Sequence, residues 1–196
     1  MTEYPDEWDE LCLIGITKEN GSEVQFAALT EEISFDMASK DIESKAMANG
    51  GCRIRRVPQG DNVNSITFKM TEVNAGLDGS GIIQWLHPQS PDDTTDPILV
   101  TSSLARNRHK IVLLWSETLP AAASTSPALG KASYRKQFIN MYCTDAKPSY
   151  DDFKMKVEVT FKAAPFRADA TGNCRTESTL GTTQLPTATT SVTNWA

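Results

Sequence analysis

The residues of this chain that could do chemistry are two histidines, four cysteines and a few adjacent carboxylates. His87 and His109 are far apart, and neither has a further ligand at a spacing that closes a metal site, so both read as structural or surface histidines. Cys12, Cys52, Cys143 and Cys174 form no Cys-x-x-Cys pair, and most sit in apolar-alternating runs, the pattern of buried free thiols. Glu31 and Glu32 would point to opposite faces of a strand, which rules them out as a natural acid/base pair. Asp92-Asp93 lacks the Asp-x-Asp-x-Asp-Gly register of a calcium loop. Gly76-Leu77-Asp78-Gly79-Ser80-Gly81 lacks the Gly-Lys-Ser/Thr close of a phosphate loop, and Ser102-Ser103 has no flanking serine-elbow glycines. The residues therefore point away from catalysis, and no cofactor or metal is expected.

One charged cluster remains. Arg53 and Arg55 share a strand face opposite Ile54, with Arg56 beside them. They could meet phosphate, or pair across a subunit boundary with acidic residues of a neighbour. The formal charge of −6 favours the subunit contact.

The elements that must position these residues are β-strands. At 196 residues the chain can bury a core without disulfides or metals, and its 39% apolar and 22% charged residues suit a globular protein. No apolar run approaches the ~20 residues of a membrane helix. The acidic start, MTEYPDEWDE, lacks a signal pattern, so synthesis and folding in the cytoplasm are expected.

Leu11 to Thr17 reads as a strand ended by a turn at Lys18-Glu19-Asn20-Gly21. Ser22 to Met37 reads as one long strand or two, with a phase slip at Ala27-Ala28 that marks a bulge or bend. Ala38 to Gly51 has neither helical nor strand period and reads as a long charged loop closed by Asn49-Gly50-Gly51. Cys52–Val57 and Ser65–Val73 are expected to pair as a hairpin across Pro58-Gln59-Gly60-Asp61-Asn62. Ser80 caps one short helix, Gly81 to Leu86, stopped by Pro88. Ile98–Leu104 and His109–Glu117 are further strands, the second apolar on both faces and hence central or covered. Tyr134–Cys143 and Phe153–Phe161 follow, with a turn expected at Asp145-Ala146-Lys147-Pro148. From Ala168 onward the Thr-, Ser- and Ala-rich tail has little to bury and reads as extended or disordered when alone.

Three features carry a resemblance: Ala28-Leu29-Thr30-Glu31-Glu32-Ile33-Ser34-Phe35-Asp36, then Lys40-Asp41-Ile42-Glu43, then Asn49-Gly50-Gly51 leading into a charged strand. With the order of elements, they resemble the tail tube proteins of long-tailed archaeal and bacterial viruses and of related tail-like particles. The likeness spans roughly residues 10 to 165.

That resemblance implies a mainly β fold, a β-sandwich or half-barrel with one short helix, a long inter-subunit loop and extended terminal arms. Residues 1–10 would be an N-terminal arm, 11–167 the tail-tube-like domain, and 168–196 a C-terminal arm. The subunits would form hexameric rings that stack into a hollow virion tail tube, with other tail proteins as partners. Viral DNA would pass through without specific binding, and nothing would insert into a membrane. Ser39, Lys40, Asp41, Ile42, Glu43, Lys45 and Met47 would contact the adjacent ring. Glu32, Ser34, Asp36, Arg53, Arg55, Thr67, Lys69 and Thr71 would line the lumen or the ring interface. The competing reading is a pilin-like or other β-sandwich filament or binding subunit. An enzyme on a β-scaffold would need the clustered chemistry that the sequence does not offer.

Overall fold

The structure is a computed structural model that describes residues 12–19, 21–26, 30–36, 40–48, 51–59, 64–71, 86, 108–151, 154–164, 172–180, 182–189 and 192. Ten strands run in chain order: β1 Cys12–Lys18, β2 Glu23–Phe26, β3 Thr30–Asp36, β4 Lys40–Ala48, β5 Gly51–Gln59, β6 Asn64–Thr71, β7 His109–Ser116, β8 Ala132–Asp151, β9 Lys154–Ala163 and β10 Cys174–Leu180. Eight of them form one antiparallel sheet in the order β2-β1-β7-β8-β9-β6-β3, with β10 also paired to β8. β4 and β5 form a separate two-stranded sheet.

The long sheet folds on itself because β8 serves two halves. Its first part pairs with β7 and β10, and its second part, from Tyr142, pairs with β9. Between them the register to β7 slips by one residue, His109 facing Met141 but Ile111 facing Phe138, and Asn140 takes a left-handed φ of 55°. A bulge of this kind bends a strand, and asparagine is among the side chains that tolerate the left-handed region. Asn140 is held there by its Nδ2, which donates to Asn173 Oδ1 at 2.9 Å, while Asn173 Nδ2 donates to the Ala164 carbonyl at 2.7 Å.

The bend brings the two halves face to face around one core. Ile14 and Ile16 of β1, Ile111 and Leu113 of β7, and Phe138 and Met141 of β8 pack with Ile66 and Phe68 of β6 and Val157, Val159 and Phe161 of β9. Phe161 stacks on Phe68 at 5.8 Å and receives the edge of His109 at 5.4 Å. The result is a mainly β half-barrel of the sandwich type. The reading of β7 as a covered strand holds: Val112 and Leu114 point away from this core into a second one with Ala123 and Leu185.

Gly15 belongs to that second face. A Cβ there would displace the Glu23 carboxylate and lie 3.0 Å from the Ala123 Cβ, so the cover approaches closely at this glycine.

Several expectations change. The slip at Ala27-Ala28 separates two strands with different partners: β2 pairs with β1, and β3 pairs with β6. Ala38–Gly51 is not an irregular loop, because residues 40–48 form β4, in register with β5 from Lys40 opposite Gln59 to Ala48 opposite Gly51. Its small and charged residues carry no two-residue apolar period that would mark a strand. β5 consequently does not pair with β6, whose neighbours are β3 and β9. The turn expected at 145–148 is continuous strand. Pro148 lies opposite Val157, where among the described residues β8 has only β9 as a neighbour, so the missing N–H costs no ladder bond on the open side. Of the predicted short helix only Leu86 is described, and it is buried. The N-terminal decapeptide and the strand expected at Ile98–Leu104 lie outside the described residues.

Candidate assembly surfaces

The polar face of the second half-sheet collects most of the proposed lumen residues. The ladder sets Glu32 opposite Lys69, Ser34 opposite Thr67 and Asp36 opposite Ser65. It continues with Thr67 opposite Thr160, Lys69 opposite Glu158 and Thr71 opposite Lys156. β8 completes the rows with Asp145, Lys147, Ser149 and Asp151. Positions of this parity carry five carboxylates (Glu32, Asp36, Asp145, Asp151, Glu158) and five lysines (Lys69, Lys147, Lys154, Lys156, Lys162). The face is thus charged yet neutral in sum. Thr67 and Thr160 share a hydrogen bond of 3.0 Å, and Lys147 pairs with Asp145 at 2.7 Å, which raises the lysine's pKa. Ser34 and Asp36 are exposed.

Arg53 and Arg55 do not join this face. They lie on β5, at the register positions of Ala46 and Ser44. The proposed inter-ring residues Lys40, Asp41, Ile42, Glu43, Lys45 and Met47 are all on β4, and Ser39 falls outside the described residues. The two groups therefore belong to one hairpin. Asp36 pairs directly with Ser65, so this hairpin is an excursion inserted at the end of a β3–β6 hairpin.

Sequence reasoning missed a third region, a buried polar layer on the other face of β1, β7, β8 and β10. Arg135 is fully buried, and its Nε donates to Glu177 Oε2 at 2.8 Å. Its Nη1 donates to the Ser124 carbonyl at 3.2 Å and its Nη2 to the Pro186 carbonyl at 2.5 Å. Glu177 also receives Gln137 Nε2 at 2.9 Å and pairs with Arg175 at 2.6 Å. Two segments cover this layer. One, residues 117–131, is tied to the other, residues 182–189, by Ala188 N to Ser124 O at 2.8 Å and Ser126 Oγ to Thr187 Oγ1 at 2.9 Å. The available signal was the alternation of Arg135 and Gln137 with Lys136 and Phe138, which a two-faced burial would explain.

Lys110 is buried in the same layer, and burial lowers its pKa to about 8, against the pull of Glu23. Cys12 and Cys143 are partly buried free thiols whose pKa values burial pushes up to about 12, and that of Cys174 is raised likewise. These shifts have opposite signs in stability. Between pH 8 and the ordinary lysine value the unfolded chain holds the proton that folded Lys110 has lost, so stability rises with pH. Above pH 9 unfolded thiols ionise while the folded ones do not, and stability falls. The two contributions nearly offset each other between pH 8 and pH 9, and denaturant unfolding should show a net loss of stability above pH 9. Lys110→Met removes the rising contribution, so the stability of the wild type relative to this variant should increase by about 1 kcal/mol from pH 8 to pH 9, and a difference that does not change with pH would contradict the assignment.

His109 is buried in the core rather than on the surface, edge-on to Phe161. His87, Asp92, Asp93, the 76–81 glycine run and Ser102-Ser103 lie outside the described residues. Among the described residues no three His, Cys, Asp or Glu side chains converge as a metal site would require.

No protein-family model matches the chain, and no curated protein matches it either. Among solved structures it is similar to a chain of the anti-feeding prophage (AFP) baseplate, with 9% identity, 89% of this chain and 97% of that one covered, and a TM-score of 0.49. It is also similar to a chain of the sheath/tube terminator of an extracellular contractile injection system, PVC, in its extended state (15% identity, 91% and 99% covered, TM-score 0.47). A third similarity is to a mutant Hcp1 protein from the E. coli EAEC 042 pathovar (8% identity, 85% and 97% covered, TM-score 0.34).

Proposed function

We propose that this chain is a non-enzymatic structural subunit that self-assembles into stacked rings, forming the hollow tube of a tail or tail-like particle. The observation that carries the reading is the β4–β5 hairpin, nine residues in each strand, which forms its own two-stranded sheet apart from the main one. A lone two-stranded hairpin is marginal in water, which favours a surface on another subunit to hold it. The sequence resemblance to tail tube proteins supplies the partner, a second copy of the chain, and the expected ring number of six.

In this reading Lys40, Asp41, Ile42, Glu43, Lys45 and Met47, with Ser39 before them, seat the hairpin on the adjacent ring. Arg53 and Arg55, on the same hairpin, make the subunit contact. Glu32, Ser34, Asp36, Thr67, Lys69 and Thr71 face the lumen. The equal numbers of carboxylates and lysines on that face suit a channel through which DNA slides. Each phosphate neutralised by a net cationic wall would add affinity and hence drag. Among the described residues β3 is the end strand of the sheet, and closing a ring covers such edges.

Negative-stain microscopy and sedimentation velocity of the purified chain over a concentration series test the proposal. Hollow tubes or six-fold rings are expected at high concentration. A monomer at every concentration, with intact termini, would overturn it.

A further inference from the structure

Residues 174–180 and 182–189, part of the tail that the sequence suggests is an extended arm, lie against their own chain. β10 pairs with β8 along seven residues, from Cys174 opposite Phe138 to Leu180 opposite Ala132. The strap 182–189 then lies beside residues 124–127, where Gln184 Nε2 donates to the Pro127 carbonyl at 2.5 Å. What holds this segment differs in kind from what holds the core. β7 has Ile111, Val112, Leu113 and Leu114 all essentially inaccessible. Across 174–189, Leu185 is the one buried hydrophobic side chain among the described residues, with Cys174 partly buried. The remaining attachment is directional and polar. It converges on Arg135, which bonds Glu177 in β10, Pro186 in the strap and Ser124 in the covering segment.

Segments with few buried apolar contacts open locally, at lower free energy than the whole fold. An ion pair buried at such a joint is also sensitive to loss of one partner, since the other charge is left in a dry site. We infer that residues 174–189 form a latch, bolted by Arg135 and Glu177, that opens while the rest of the sheet stays folded and then exposes the 132–138 edge of β8 to the β10 strand of a second copy. A second copy is the fitting occupant because the same sequence restores both the seven-residue register and a carboxylate opposite Arg135. Strand exchange between identical chains has this character. The inference stands on contacts within one chain and does not depend on the tube reading.

Two measurements on the full-length chain test it. In native-state hydrogen exchange, the β10 amides bonded to β8 should exchange at least tenfold faster than those of β7, with a weaker denaturant dependence. Equal rates and equal denaturant dependence would overturn the latch, because β10 would then open only with the whole molecule. The second uses the Glu177→Gln chain and a synthetic peptide of residues 174–189. The peptide carries the carboxylate that the variant lacks, and it should bind saturably, at least tenfold more tightly than the same peptide bearing E177Q. Equal binding of the two peptides, or none by either, would overturn the assignment of the edge to a second copy's strand.

Discussion

Phe161→Ala is expected to destabilise the fold by about 3–5 kcal/mol, the usual range for removing a buried phenylalanine. For a chain of this length that lowers the melting temperature by roughly 6–20 °C. The position justifies the large value. Phe161 is fully buried on β9, stacked on Phe68 of β6 in its own half-sheet. It also meets His109 of β7 from the opposite half. Truncation therefore opens a cavity where the two halves close on each other, and β8 limits how far they can collapse, because its bend at Asn140 is pinned by Asn173. Phe161→Leu should recover much of the loss, since it keeps most of the buried volume. Thermal unfolding followed by circular dichroism checks both variants. A shift for the alanine variant no larger than that of a surface substitution would place Phe161 outside the junction.

The alternation of apolar and polar residues made β6, β7 and β9 legible in the sequence, because each has a face sorted by the core. Ile66 and Phe68 are buried beside half-buried Ser65, Thr67 and Lys69, and β7 is buried on both sides as its continuous apolar run requires. Partner choice was less visible. β3 pairs with β6 across residues 37–64, and nothing in local pattern says that the intervening segment returns to its starting point. Pro148 suggested a turn because proline usually interrupts a ladder, yet a stretch of strand with one described neighbour tolerates it, as edge strands do. β10 escaped notice for a different reason. CRTESTL has almost no apolar signal, since its strand is held by backbone bonds and by a carboxylate under cover rather than by a hydrophobic face. The proposed lumen residues on β3 and β6 came together because alternation sets face as well as burial. Arg53 and Arg55 did not join them, because their strand pairs with β4.

The register at Asp36 and Ser65 also makes the hairpin separable from the body, and this leads to the prediction with the largest functional effect. These residues are paired, so the two ends of the excursion already lie about 5 Å apart, the spacing of facing residues in an antiparallel ladder. Replacing residues 37–64 by a short Asn-Gly turn asks β3 and β6 to form a direct hairpin, a connection whose twist suits adjacent antiparallel strands. The closed loop becomes shorter, and that change favours folding. None of the described core residues is removed, since Ile66, Phe68 and their partners on β9 all remain. The variant should therefore melt within a few degrees of the intact chain, by the scaling that links small free-energy changes to melting temperature. Its stacking should be abolished: sedimentation velocity should show rings at most, with no stacked tubes at concentrations where the intact chain forms them. Tubes of normal length from a folded deletion variant would assign stacking to another surface. A variant that fails to fold would mean that the hairpin supports its own chain, contrary to the separate two-stranded sheet that it forms.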